Sequence, residues 1–255
     1  MDIRDITLEE VNDHVKSRRL QDIYRLQSNL IEHYTKIECL PNPPLVINQK
    51  DHQILLKDFL SRVVEELGEA YESYETLMTK KEAYYIWNFY EEIADALHFM
   101  IEALIYTNIF PEDIKLYLQK EVGCDYKNCT QLDLDNVWKG CFGYSRYRVL
   151  QVTHYNNLPL ESLMGLIVHP LVSQQVQTYL WKVTYQIQMV RNALKNKAWK
   201  QTKMVTDRKV VNGYMIKSFL ALIDACHFLG INEDLLYDLY RKKNQVNEFR
   251  VKSKY

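Results

Sequence analysis

The chain has 255 residues, enough for one large domain or two small ones with a core of useful size. Its 32 basic and 33 acidic residues leave a formal charge of −1, so there is no global basic field to capture DNA or RNA, and nucleic acid is not an expected partner. With only 7 glycines and 6 prolines, a β-sandwich, a barrel or a nucleotide-binding α/β fold with its glycine-rich loop is disfavoured, and long helices joined by few turns fit better.

The N-terminus, MDIRDITLEEVNDHVK, is too charged for a signal peptide. Residues 8 to 38 read as a helix, with Leu20, Ile23, Leu26, Leu30 and Ile31 at helical spacing. Pro41-Asn42-Pro43-Pro44 breaks it. A second helix runs from about Gln53 to Met78, its apolar residues forming one broad stripe (Leu56, Leu60, Val63, Leu67, Tyr74). The third, about Glu82 to Thr107, is apolar almost all round and belongs at the centre of a bundle. Pro111 with Glu112 and Asp113 opens a short fourth helix, because proline suits the first turn and acids suit the positive end of the dipole.

From Gly123 to about Pro170 the pattern weakens into irregular connections with short helices. Helical periodicity returns at Ser173–Lys195 and Tyr214–Leu229. Gly230 is a natural C-cap, and Asn232 caps a last helix that begins at Glu233-Asp234. Five cysteines, an odd number with no C-x-x-C pair, suggest reduced thiols inside a cell. No run of 18 apolar residues occurs, so no membrane span is expected and the reading is of a soluble, cytoplasmic protein.

The chain also echoes itself. Ala94-Asp95-Ala96-Leu97-His98-Phe99 resembles Ile223-Asp224-Ala225-Cys226-His227-Phe228, and each is followed by an acidic helix start. A duplicated helical hairpin would explain this, and so would chance similarity between apolar helices. On the first reading Ala221 stands where Glu92 stands, so only one copy keeps its acids.

The chemistry lies in two acidic pairs. Glu66 and Glu69 are three residues apart on the second helix, hence on one face, with Glu66 at the border of the apolar stripe. Glu92 and Asp95 repeat the spacing on the third, where Glu92 has apolar neighbours and little polar surface to spare. Two such helices packed face to face gather four carboxylates, which repel unless protons or cations neutralise them. A hard divalent cation with oxygen ligands is the natural answer, and magnesium suits a few carboxylates plus substrate phosphates. Acidic pairs at this spacing are also common on solvated faces, and Glu65, Glu72 and Glu91 read that way. A diiron site is disfavoured because Glu92 and His98 lie six apart, not three, and Asp95 with His98 is a weaker version of the same motif. At the C-terminus Tyr240, Lys243, Asn247 and Arg250 recur at three- and four-residue spacing with Asn244 adjacent; by spacing alone this is a basic helix end complementing its dipole.

Together these motifs resemble the dimeric dUTPase branch of the all-α NTP pyrophosphatases, the superfamily that includes MazG-like enzymes. The resemblance rests on Glu65-Glu66-Leu67-Gly68-Glu69, on Glu92-Ile93-Ala94-Asp95 with Ala96-Leu97-His98-Phe99, and on Lys243-Asn244-Gln245-Val246-Asn247-Glu248-Phe249-Arg250. It covers about residues 20–120 and 210–255, and the stretch 123–210 reads as a helical or irregular insertion or lid within a single domain. Asn196-Lys197-Ala198-Trp199-Lys200-Gln201-Thr202 in that stretch resembles a basic tryptophan motif of longer members. The chain departs from the family at Leu30, where asparagine is usual, and at Val251 and Lys254, where the glutamine and glycine of the R-Q-x-x-G-Y tail are lost; Arg250 and Tyr255 stay in register.

What the resemblance implies is an all-α bundle that hydrolyses dUTP to dUMP and pyrophosphate with Mg2+, as a homodimer or a fused pseudo-dimer. Glu66, Glu69, Glu92 and Asp95 would be metal ligands, with Glu66 or Glu69 also orienting or deprotonating the attacking water. Lys243 and Arg250 would steady phosphates, Asn244 and Asn247 would contact sugar, phosphate or base, and Tyr255 would be a further substrate-binding residue. Gln27 would touch the base edge, and Trp87 would be a stacking wall if it is not simply core. The departures leave dCTP, both pyrimidine nucleotides or a modified deoxyuridine triphosphate open as substrates. A helical adaptor without catalysis is the reading from a different class.

Overall fold

The structure is a computed structural model of the full chain, and it describes residues 2–9, 18–82, 84–122, 136–148, 170–201 and 203–253. Those residues form one short 3-10 turn, Ile3–Asp5, and eight α-helices, with no strand. The helices are α1 (Arg19–Ile37), α2 (Lys50–Lys80), α3 (Tyr84–Tyr106), α4 (Pro111–Val122), α5 (Val137–Arg148), α6 (Pro170–Ala193), α7 (Arg208–Phe228) and α8 (Glu233–Ser253).

The expected elements are present with shifted ends. Leu8 and Glu9 are not helical, and the first helix is described only from Arg19, since residues 10–17 lie outside the described set. α7 starts six residues before the expected Tyr214, because the Asp207 carboxylate accepts the backbone N–H groups of Lys209 and Val210 and so nucleates an earlier first turn. Asn232 Oδ1 caps α8 as its sequence position suggests, accepting from Asp234 and Leu235.

α2 and α3 form a hairpin through Lys81, whose φ of 56° turns the chain back. They make the most extensive helix pair, and α6 against α7 is the next. α3 contributes fifteen buried residues and is enclosed by α1, α2, α7 and α8, the environment expected for a helix apolar on most sides. The range expected to be an insertion or lid contains α5 and α6, both packed on α7. Its C-terminal end is fastened to the start of α2: Asn196 N–H donates to Gln53 Oε1 at 2.9 Å, and Gln53 Nε2 donates to Thr206 Oγ1 at 2.8 Å.

The internal echo takes a different form from the one the hexapeptides suggest. α3 turns into α4 by 94° and α7 into α8 by 111°. Both turns use the same backbone device. Ile109 N–H donates to Leu104 O and Ile231 N–H to Cys226 O, each at 2.9 Å, around left-handed Asn108 (φ 59°) and Gly230 (φ 75°). Yet Ala94–Phe99 ends nine residues before its turn, whereas Ile223–Phe228 ends two residues before its own. The hexapeptides are therefore not equivalent positions. Aligned on the turns, the counterpart of Glu92 is Tyr214, not Ala221, because the turn geometry sets the register.

Candidate active site

α2 presents Glu66 and Glu69 towards α3, and α3 presents Glu92 back. One carboxylate oxygen from each of the three lies within 4.8 Å of the other two. Glu69 is exposed, while Glu66 and Glu92 are half-buried. Burial, and then the charges of Asp95, Glu92 and Glu69, push Glu66 up to about 8. Burial followed by Asp95 and Glu69 pushes Glu92 up to about 7. Glu66 and Glu92 also share a hydrogen bond, so a proton stands where the set wants positive charge.

Asp95 sits differently from the other three. Its Oδ2 receives Lys243 Nζ at 2.6 Å, and the same ammonium reaches Glu91 Oε1 at 2.8 Å. Burial raises Asp95 to about 6 against the pull of Lys243. Burial by itself lowers the Lys243 ammonium, but Asp95 and Glu91 outweigh it and hold the group above its ordinary value. Glu91 is thus a partnered residue and not part of a solvated face. The spacing within α3 carries no record of where α8 crosses it.

A cavity of about 260 Å³ opens beside Glu66 and Asp95. Gln27 and Leu30 of α1, His98 and Glu102 of α3, and Asn247 and Arg250 of α8 line it with them. Gln27 is buried and its amide is pinned: Tyr240 O–H donates to Gln27 Oε1 at 2.7 Å, and His98 Nδ1 lies 2.9 Å from the same oxygen. The His98 ring stacks on Tyr240 at 3.9 Å, and burial pushes it down to about 3, so the ring is neutral. One end of the Gln27 amide is used by this network, and the other is left to the cavity.

Other expected contacts lie off the cavity wall. Trp87 is half-buried and meets Tyr90 edge-on at 6.1 Å, the core-packing arrangement. Asn244 is buried at 2% exposure, and its Nδ2 makes no hydrogen bond among the described residues. Tyr255 lies outside the described residues. His98 and Glu102 line the cavity and Glu91 pairs with Lys243, none of them singled out by the sequence reading. The available sequence signal for Glu102 was a charged residue in an otherwise apolar helix turn.

The donor set of Glu66, Glu69 and Glu92 fits a hard divalent cation. It is all oxygen, converges within one ion's reach, and has no ammonium or guanidinium of its own, Lys243 being engaged by Asp95 and Glu91. Such a cluster, drawn from two adjacent helices beside a cavity edged by Arg250, suits a helical hydrolase acting on phosphoric anhydrides. A family model described as dUTPase matches residues 19–255, and the chain belongs to that family, whose members hydrolyse dUTP and in general depend on a divalent metal. Comparison with curated proteins and with solved structures gave no match. No single helix among the described residues is long and apolar enough to cross a membrane.

The raised carboxyls predict how stability depends on pH without metal. Glu66, Glu92 and Glu102 bind protons more tightly in the fold, at about 8, 7 and 7, than an unfolded chain does near 4.5. The native state therefore holds the extra protons at neutral pH, and its advantage shrinks as they leave. In chelator, the melting temperature is expected to fall as pH rises from about 6 to about 8, and added magnesium to reverse the fall with proton release. A melting temperature that climbs over that window would contradict the assignment.

Proposed function

We propose that the chain converts dUTP to dUMP and pyrophosphate, that Mg2+ is the divalent cation, and that Glu66, Glu69 and Glu92 hold it, with Asp95 at the edge of the set. The observation that carries the reading is the convergence of three carboxylate oxygens within 4.8 Å beside a cavity. When bound, the cation would neutralise phosphate charge and lower the pKa of a coordinated water.

The chain's own residues supply the rest. Arg250 and Asn247 face the cavity and bind phosphate oxygens and sugar. Lys243 keeps Asp95 and Glu91 in place through its two contacts. Water attacks the α-phosphorus, the bridging oxygen leaves with pyrophosphate, and Glu66 or Glu69 orients the water and takes its proton. Gln27 presents the free end of its amide to the base. Asn244 and Tyr255 complete the proposed substrate-binding set. Trp87 stacks on the base only if the pocket extends beyond its present wall.

A second copy of the chain is the proposed partner. Trp181 and Tyr185, one turn apart on α6 and 65% and 50% exposed, offer an aromatic patch for that contact. The reduced Cys39, Cys141 and Cys226 fit an intracellular, cytoplasmic setting. The test is a panel of the four canonical deoxynucleoside triphosphates and dUTP with magnesium, with monophosphate and pyrophosphate quantified. dUTP is expected to turn over fastest; turnover of none would sink the reading, and dCTP leading would replace it with a dCTP-directed one. Sedimentation of the same sample is expected to give a dimer mass, and a monomer mass would remove the second copy.

A further inference from the structure

α3 carries one more carboxyl that the cation-facing set does not use. Glu102 stands seven residues beyond Asp95, on the same face, with His98 between them. That is about 10 Å along the helix axis. Glu102 is 7% exposed, yet it makes no hydrogen bond and no ion pair among the described residues. It lines the same cavity as Gln27, Glu66 and Asp95.

A carboxyl removed from water is costly unless something donates to it. No neighbouring group donates to it among the described residues; the buried Tyr106 hydroxyl one turn on feels its charge but makes no hydrogen bond. The charged groups around it are Glu38 just beyond α1, and Asp58 and Arg62 on α2. Arg62 is the cation of the three, and it already holds Asp58 at 3.0 Å. Burial, partly offset by Arg62, leaves Glu102 raised to about 7. An unsatisfied acceptor on a cavity wall is what a ligand donor would complete.

The cavity has a direction. Its Glu66 and Asp95 end is the phosphate and cation end. Glu102 lies two helical turns away, a span comparable to that from the α-phosphate to the far edge of the base. In a deoxyuridine nucleotide N1 is taken by the sugar, so the uracil ring has one hydrogen-bond donor left, N3–H. We propose that Glu102 is a specificity-determining residue that accepts the N3–H of the uracil ring at the end of this cavity away from Asp95. The inference rests on the dUTP reading above. It also gives a preference over cytosine above about pH 7, where Glu102 is ionised and the lone pair at cytosine ring position 3 faces the same oxygen unfavourably.

The test is metal-free binding of dUMP and of N3-methyl-dUMP to the full chain by calorimetry in chelator, with thermal melting alongside. The wild-type chain is expected to prefer dUMP. Glu102→Met keeps the volume and removes the acceptor, so it should bind dUMP roughly 10- to 100-fold more weakly and lose the preference over the methylated nucleotide. It should also melt at a higher temperature, since an unpaired buried carboxyl is gone. Glu102→Gln retains one acceptor oxygen and should keep part of the preference, which decides the matter if the methionine variant fails to fold. Unchanged dUMP affinity in Glu102→Met, or an equal loss for both nucleotides, would overturn the proposal. So would a lowered melting temperature with affinity intact, the mark of a purely structural residue. If the wild-type chain binds neither nucleotide and turns over no dUTP, the dUTP reading fails as well; wild-type turnover with an unaffected Glu102→Met removes this inference alone.

Discussion

Glu92→Gln is expected to abolish dUTP turnover while leaving the fold intact. The substitution conserves shape and removes one negative charge from a cluster in which Asp95 and Glu69 repel it, and the amide can still take part in the hydrogen bond shared with Glu66. In chelator the variant should therefore melt at the wild-type temperature or above it. With magnesium it should bind the cation more weakly and lose about 10³-fold or more in kcat, the scale of losing metal-assisted charge stabilisation. The measurement is kcat for dUTP together with magnesium titration followed by melting. Wild-type turnover by Glu92→Gln would remove that residue from the site. A collapse of the fold would show instead that Glu92 is needed for packing, against its half-buried position.

Lys243→Met should act in the opposite way, damaging stability first. Lys243 has a side chain 5% exposed and bridges Asp95 at 2.6 Å and Glu91 at 2.8 Å, so it joins α8 to α3 through charge. Methionine fills the same volume and leaves Asp95, itself 15% exposed, without its counter-charge. Breaking a buried pair from one side costs roughly 3 kcal/mol. The loss should shrink as pH falls, because Asp95 without Lys243 takes up a proton more readily than in the wild-type chain, and below about pH 6 the wild-type carboxyl is protonated too. Denaturant unfolding at about pH 8 and about pH 5 measures both effects. An unchanged midpoint at the higher pH would mean that the Lys243 contacts add nothing to the fold.

The contrast between these two residues marks how far the site was legible in the sequence. Glu66, Glu69 and Glu92 were readable because three-residue spacing on an amphipathic helix is a local property, and their convergence follows once α2 and α3 form a hairpin. Gln27 and Arg250 were readable only through a resemblance, and the structure brings both to one cavity with Glu66. Glu91 was misread as a solvated acid because its partner lies 152 residues away on α8. The hexapeptide echo misled for a related reason: six apolar-rich residues match in sequence, but the turns that set helix register lie at different distances from them.

The sequence by itself determined that the chain is helical, that α3 is central, and that α2 and α3 each carry a pair of acids on one face. Periodicity records which face of a helix avoids water, and capping residues such as Asn232 record where a helix begins. Only the tertiary structure decided that Lys243 claims Asp95, that Tyr240 and His98 pin Gln27, and that Glu102 is left unpaired on the cavity wall. Those outcomes depend on where α1 and α8 cross α3. Crossings are set by side-chain packing between segments far apart in the chain, and no local pattern encodes them.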